Sequence, residues 1–313
     1  MKKGTYKTLI GDCRETIKSI DNDTIDCCVT SPPYFGLRDY DNANQIGLEN
    51  TIDEYVENIC KVFDEIYRIL KPSGTAWLNL GDSYAGSGKG QWNGASSDPK
   101  RKKTNGMTVK AQKAKTIGLK PKDLIGVPWR VAFALQSRGW YLRQDIIWNK
   151  GNPMPESVLD RCTKSHEYIF LLTKSPKYYY DYDAIKEPTV TNDDVIRDRE
   201  NTKLNNVPGR ARMGGLTENN YDYRNKRSVW NVNTRQYSAA HFAVFPHELI
   251  IPCILAGCPE HGTVIDPFGG SGTTAAVAVN HGRNAILCEL NPDYAALIDS
   301  RIGATPPEQG KIL

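Results

Sequence analysis

"VIDPFGGSGTT", residues 264–274, is the stretch whose reading decides the fold. Two β-branched residues run into an acid, a proline and an aromatic ring. Gly269, Gly270 and Gly272 follow, and then the small residues of "TTAAVAV". Glycines let a backbone turn tightly and approach a ligand closely. The order is therefore strand, acid, glycine-rich turn, helix. The next apolar run, "NAILCEL" (284–290), carries Glu289 near its end. An acid about 20 residues beyond a glycine turn is where nucleotide-binding folds meet ribose hydroxyls. A glycine-rich turn alone is weak evidence. With a strand before it, a helix after it and an acid at that distance, it is strong.

After Glu289 only "NPDYAALIDSRIG" and a short tail remain, too little for the other half of a nucleotide-binding sheet. The rest of the sheet has to come from earlier in the chain. Apolar, β-rich runs recur there at 6–12, 24–31, 74–82, 141–150 and 167–175, which with 262–268 and 284–290 make seven. Helical patterns lie between them. Residues 51–70 carry apolar side chains with a 3.6 period and close at Lys71-Pro72 and Gly74; 123–139 and 272–282 read as further helices. Strands alternating with helices predict an α/β protein with a mostly parallel seven-stranded sheet covered on both faces. The chain looks circularly permuted, its cofactor-side strands last.

Two stretches break the alternation. Residues 187–236 are polar, mixed in charge and aperiodic, and read as an insertion. Residues 86–122 hold Lys100-Arg101-Lys102-Lys103 and six further lysines against one acid, Asp98. Such a stretch is either a solvated surface loop or a contact for phosphates. The expected organisation is 1–186 as one half of the domain, 187–236 as an insertion, and 237–313 as the other half.

Bulk properties exclude several classes. With 39% hydrophobic and 24% charged residues in 313, there is enough apolar material for a core without staples. There is no run of about 18 apolar residues, so no membrane span is expected. "MKKGTYKTLIGDC" lacks the apolar stretch of a secretion signal, which predicts a soluble, cytoplasmic protein. Eight cysteines, several inside strand-like runs, read as buried reduced thiols. Cys253, Cys258 and His261 lack the spacing and the fourth ligand of a zinc site, so no metal is expected. The net charge of +4 only weakly suggests an anionic partner.

The remaining singular stretch is "TSPPY" (30–34) at the end of the apolar run "TIDCCV". It resembles the (S/D/N)PP(Y/F) motif of amino-group DNA methyltransferases. "DPFGGSGTT" resembles the FxGxG cofactor motif of that family, with Phe268, Gly270 and Gly272 in the matching places. "NLGDSY" (79–84), "RCTKSHEYIFLLTKS" (161–175) and "HFAVFPHEL" (241–249) are similar to further family segments. The catalytic motif precedes the cofactor motif, the order of the β group. The resemblance covers nearly all of the chain outside 85–120 and 187–236.

That resemblance implies a Rossmann-like fold that binds S-adenosylmethionine, releases S-adenosylhomocysteine and uses no metal. It implies that Ser31 and the Pro32 carbonyl accept hydrogen bonds from the exocyclic amine of a flipped base. Pro33 helps to stiffen that tip, and Tyr34 stacks on the base. Asp266, Phe268, Gly270, Gly272 and Glu289 would bind cofactor. Asp12 either binds the cofactor adenine or caps a turn, and Asp82 would line the site. Residues 187–236 would read the DNA sequence, with Arg210, Arg212, Arg224, Arg227 and Arg235 as contacts. Lys100 to Lys103 would bind backbone phosphates. Serine in first place favours cytosine N4 over adenine N6. An RNA or protein methyltransferase, or a non-catalytic nucleic-acid-binding module, are the competing classes. The partners implied are double-stranded DNA and a cognate restriction endonuclease, with the enzyme a monomer or homodimer.

Overall fold

The structure is a computed structural model, and it describes residues 3–37, 42, 44–86, 118–189, 223–234 and 245–304. The elements begin with strand β1 (Tyr6–Ile10), a short helix α1 (Cys13–Thr16), β2 (Ile25–Thr30), α2 (Ile52–Ile69) and β3 (Leu70–Leu80). There follow α3 (Val127–Ser137), β4 (Tyr141–Asn149), β5 (His166–Thr173), and three short strands, β6 (Glu187–Pro188), β7 (Tyr223–Arg224) and β8 (Val229–Asn231). The last part contains α4 (His247–Gly257), β9 (Thr263–Asp266), α5 (Thr273–Asn280), β10 (Asn284–Glu289) and α6 (Pro292–Ala304).

One sheet organises the molecule, in the order β1-β10-β9-β2-β3-β5-β4-β8. All seven runs read from the sequence are in it. The eighth member is a correction: β8 comes from within the 187–236 stretch and pairs in parallel with β4 through Ile147↔Val229 and Asn149↔Asn231. The stretch read as an insertion therefore contributes its last described part to the main sheet. β6 and β7 form a separate two-stranded pair. Every pairing in the large sheet is parallel except those of β5, which runs against both β3 and β4.

The first strand pairs with the last, Tyr6↔Ala285 through Ile10↔Glu289, as a permuted chain requires. From the seam between β2 and β9 the chain winds outward both ways, to β3 on one side and to β10 and β1 on the other. A crevice at such a switch point, outside the carboxyl ends of the strands, is where open α/β sheets bind ligands.

Side chains alternate across the sheet and fill two cores. Cys28, Leu78, Ile265 and Cys288 face the cluster built with α1, α2 and α3. Their neighbours Cys27, Trp77, Val264 and Leu287 face the cluster built with α4, α5 and α6. Seven of the eight cysteines are buried and all are free thiols, with Cys162 exposed. Among the described residues, no group of three or more His, Cys, Asp or Glu is placed to hold a metal ion, and no helix is long and apolar enough to cross a membrane.

Three boundaries differ from the sequence reading. α2 starts behind a capping box: Thr51 Oγ1 accepts from Glu54 N, and Glu54 Oε2 accepts from Thr51 N. At its other end the chain passes directly into β3 at Leu70, so Lys71 and Pro72 lie in the strand rather than in a loop. α3 begins only at Val127, because Gly126 precedes it at φ 76°, a left-handed conformation that a helix cannot continue through, and Leu124 before it bridges to Tyr84.

Candidate active site

The carboxyl ends of the strands bring most of the singled-out residues to one edge. Asp12 follows β1, Ser31 follows β2, Asp82 follows β3, Lys150 follows β4, Phe268 to Gly272 follow β9, and Glu289 ends β10. Because β5 is antiparallel, its amino end, with Glu167, lies at this edge too.

The tip after β2 is held from below and from the side. Tyr55, fully buried on α2, donates its hydroxyl to the Pro33 carbonyl at 2.9 Å. Thr30 Oγ1 donates to Asp266 Oδ1 at 2.6 Å, and Thr274 Oγ1 donates to Asp266 Oδ2 at 2.6 Å. The amide of Phe268 donates to the same carboxylate at 3.0 Å. Asp266 thus joins the last residue before the Ser31-Pro32-Pro33 tip to both ends of the glycine turn. Burial pushes its carboxyl above the ordinary range, and these three hydrogen bonds pull it partly back.

In the glycine turn the two motif glycines do different work. Gly270, at φ 52°, has no atom closer than 4.0 Å to the place of a Cβ. Gly272, at φ 87°, would put a Cβ 2.9 Å from Ile298 of α6. The first faces open space, and the second lets α5 and α6 approach. Glu289 closes the turn: its Oε2 accepts from Gly270 N at 2.6 Å and its Oε1 from Asn291 N at 2.8 Å. Burial raises the Glu289 carboxyl, and these amide bonds oppose the shift.

Asp12 caps α1, accepting from Arg14 N at 2.9 Å and from the Arg14 guanidinium. Burial pushes its carboxyl up, but the hydrogen bonds and charge of Arg14 outweigh that and leave it below its ordinary value. Asp12 thus caps α1 at the strand end next to Glu289. Asp82 is a cap as well. Its carboxylate accepts from Ser83 N, Gly126 N and Val127 N at 2.9–3.1 Å, fixing the start of α3. Lys164 donates to the Asp82 backbone carbonyl, and burial lowers the pKa of that lysine.

A polar cluster that the sequence reading missed surrounds Tyr34. Its hydroxyl lies 2.6 Å from Glu167 Oε2, 3.1 Å from Asn79 Oδ1 and 3.4 Å from Ser31 Oγ. Glu167 Oε1 is ion-paired with Lys150, and Asn79 Nδ2 donates to Glu167 Oε2 at 3.2 Å. Burial first, and the Glu167 charge second, hold the Tyr34 phenol well above its ordinary pKa. The Tyr34 ring rests on Gly81, where a Cβ would lie 2.6 Å from Cε2. A signal for Glu167 was present: one acid at the head of the apolar strand "HEYIFLLT" must find partners if that end is buried.

Arg224 and Arg227 both donate from Nε to Glu187 Oε1, at 2.8 and 2.5 Å. Arg227 comes two residues before Val229, the β8 partner of Ile147, and Arg224 lies in β7 of the separate two-stranded pair. Lys100, Arg101, Lys102, Lys103, Arg210, Arg212, Arg235 and the first four residues of "HFAVFPHEL" lie outside the described residues. On the edge itself, the β4–β5 connection leaves Met154 and Leu159 exposed.

Residues 25–300 match the family model described as DNA methylase, of the N6/N4 type. The type II methyltransferase M.SmaI of Serratia marcescens is 47% identical over 296 residues, covering 95% of this chain and 90% of that protein. The type II methyltransferase M.Cfr9I of Citrobacter freundii is 43% identical over 292 residues, covering 93% and 86%. Among solved structures, the cytosine-N4-specific PvuII DNA methyltransferase superposes with a TM-score of 0.64 at 19% identity, covering 96% of this chain and 87% of that one. A Thermus thermophilus protein described as a DNA modification methylase, solved with S-adenosyl-L-methionine, gives 0.59 at 20% identity, covering 97% and 96%.

Proposed function

The chain belongs to the DNA methylase family, and on that premise we propose that it transfers a methyl group from S-adenosylmethionine to N4 of a cytosine flipped out of a DNA duplex. We read it as the modification enzyme of a type II system. The observation that carries this reading is the seating of Ser31 at the end of β2, fastened through Thr30 and Asp266 to the glycine turn after β9. An acceptor for the amine and a cofactor turn thereby share one crevice.

The residues present suit the cofactor. Gly270 opens toward free space, and the neighbouring strand ends carry the carboxylates of Glu289 and Asp12. Phe268 to Gly272, with Glu289 and Asp12, would hold it. When bound, S-adenosylmethionine supplies an electrophilic methyl group on a sulfonium.

The exocyclic amine of cytosine is a poor nucleophile, because its lone pair is delocalised into the ring. Ser31 Oγ and the Pro32 carbonyl would accept hydrogen bonds from its two N–H groups and favour a pyramidal nitrogen with the lone pair directed away from the tip; the new N–C bond replaces the methyl–sulfur bond, and the methylated nitrogen sheds one proton to solvent. This is positioning and electrostatics on a preformed site, with no covalent enzyme intermediate. The prolines, the Tyr55 bond to Pro33 and the Thr30–Asp266 bond supply the preformed geometry. The partly exposed Tyr34 ring serves as the platform for the extruded base. Serine, rather than aspartate, at position 31 supports cytosine N4. The lysine-rich 86–122 stretch supports a duplex partner through phosphate contacts, and 187–236 is the candidate reader of sequence.

The test is to methylate unmodified DNA with the purified protein and identify the product nucleoside by mass spectrometry. N4-methylcytosine made by the wild type and lost in Ser31→Ala is expected. N6-methyladenine as the product would overturn the choice of base. An undiminished rate in Ser31→Ala would overturn the site.

A further inference from the structure

A serine hydroxyl both donates and accepts hydrogen bonds. If Ser31 is to accept from an amine, something must hold its own proton elsewhere. Otherwise the hydroxyl could equally donate to the ring nitrogen beside that amine, which is an acceptor in cytosine. The cluster around Tyr34 answers this by counting protons.

Glu167 is the fixed point. An ionised carboxylate only accepts, and the Lys150 ammonium pairs with its Oε1. Tyr34 has one hydroxyl proton and two acceptors within reach, Glu167 Oε2 at 2.6 Å and Asn79 Oδ1 at 3.1 Å. The nearer and charged acceptor takes it. The Tyr34 oxygen then offers only lone pairs toward Ser31. Ser31 Oγ, 3.4 Å away, can donate to it but cannot receive from it. At that length the contact sets direction more than strength. Tyr34 also stays protonated, since burial and the Glu167 charge hold its phenol well above its ordinary pKa.

We propose that Glu167 is a positioning residue that acts on Ser31 through Tyr34. The relay Ser31→Tyr34→Glu167 turns each hydroxyl proton away from the substrate, so that Ser31 meets the amine with lone pairs. Lys150, paired with Glu167 Oε1, holds the carboxylate in place. The inference rests on Ser31 being the acceptor of the amine, and it gives the tyrosine of the tip a second task beside its ring.

Glu167→Gln is the informative change. It keeps the shape, but an amide N–H facing Tyr34 donates to the phenol oxygen. The Tyr34 proton then loses its charged acceptor and is shared between Asn79 Oδ1 and Ser31 Oγ, so the Ser31 proton is no longer held in one direction. With preformed enzyme–duplex complex and saturating S-adenosylmethionine, single-turnover methyl transfer should slow about 10- to 100-fold, the usual cost of losing an orienting partner. Affinity for duplex and for cofactor, measured separately, should stay within about twofold. Tyr34→Phe should also be slow, and Glu167→Gln added to it should slow it no further, because both act through one path. In protein free of cofactor and DNA, proton NMR should show a downfield hydroxyl resonance that is absent in Tyr34→Phe and moves upfield in Glu167→Gln.

Wild-type single-turnover rates in Glu167→Gln overturn the inference. So do effects of Glu167→Gln and Tyr34→Phe that multiply, or a downfield signal indifferent to residue 167. If unpaired Lys150 lowers the yield of folded Glu167→Gln, the pair Lys150→Met with Glu167→Gln removes both charges, and the same outcomes decide. Ser31→Ala separates the two levels. A slow Ser31→Ala beside a fast Glu167→Gln sinks the relay alone, whereas a fast Ser31→Ala sinks the reading beneath it.

Discussion

Replacing each motif glycine by alanine should separate a packing role from a ligand-facing one. At Gly272 the residue sits at φ 87°, where a Cβ costs about 1–2 kcal/mol. That Cβ would also lie 2.9 Å from Ile298 Cγ2 and 3.1 Å from its Cγ1. Ile298 is fully buried and has no room to retreat, so overpacking adds about 1–3 kcal/mol. Gly272→Ala should therefore lose about 2–5 kcal/mol of stability. Gly270, at φ 52° with nothing nearer than 4.0 Å, carries only the conformational term, about 1–2 kcal/mol. A fold with about 5–15 kcal/mol in hand survives that. Urea unfolding followed by tryptophan fluorescence gives both numbers, and calorimetry with S-adenosylmethionine gives the other half. Gly270→Ala should fold and bind cofactor poorly. In an Ile298→Ala background Gly272→Ala should lose less than it does in the wild type, because that change removes Cγ2 and Cγ1, the two nearest crowding atoms. If Gly272→Ala is no more destabilising than Gly270→Ala, or is indifferent to residue 298, this division of labour is wrong.

Three further outcomes are expected. Asp82→Ala strips the acceptor from Gly126 N and Val127 N at the start of α3 and should cost about 1–2 kcal/mol in urea unfolding; an unmoved midpoint would mean that α3 does not depend on that cap. Asp266 has its folded-state pKa raised by burial, so its contribution to stability is fully present below its unfolded pKa and is lost as pH rises through the folded one. The Tm of Asp266→Asn minus that of wild type should therefore climb as pH rises through this window, and thermal melts showing a flat or falling difference would contradict the shift. Deleting residues 90–118 should weaken binding to all duplexes alike and lower the slope of log K against log salt by about 0.9 for each phosphate no longer neutralised. An unaltered slope would return that stretch to a plain surface loop.

Much of this was legible because the informative residues sit at the carboxyl ends of parallel strands. Ser31, Asp266, Glu289 and the glycines each terminate an apolar run, and the alternation of runs with helical patterns gives the class of sheet. What escaped has identifiable causes. α4 shows no periodicity because it is enclosed nearly all round, with Leu249, Ile250, Ile251, Cys253 and Ile254 all buried and Pro252 inside it. β3 was read as starting after Pro72, but edge-like exposure at Lys71 to Ser73 tolerates a proline there. β8 is three residues long and lies in a polar stretch, below what alternation can reveal. Glu167 was missed for a topological reason: it begins a strand. Only the reversal of β5 carries it to the active edge, and strand direction is not written in composition. The capping of α3 by Asp82 was not legible either, because a carboxylate that ends a strand gives no sign of the helix amides it meets some 45 residues on.

The permuted order has a mechanical consequence at the place where function concentrates. β2 and β9 come from opposite ends of the chain, and their ladder is short, with Cys27 against Val264 and Cys28 against Ile265. Immediately beyond it the strands stop pairing. The Thr30–Asp266 bond, between residues 236 apart in sequence, is the next connection along this seam and stands between the ladder and the tip. A neutral side chain could close the seam at lower desolvation cost, since burial works against the ionised form of Asp266. A carboxylate can instead take two hydroxyls and an amide at once, all as donors. It thereby holds the residue before Ser31, the turn residue Phe268 and the first turn of α5 to a single point. Under the proposed function, the acceptor of the amine and the turn that holds the cofactor are in this way indexed to each other by one side chain, and its cost in stability is the counterpart of a site set before substrate arrives.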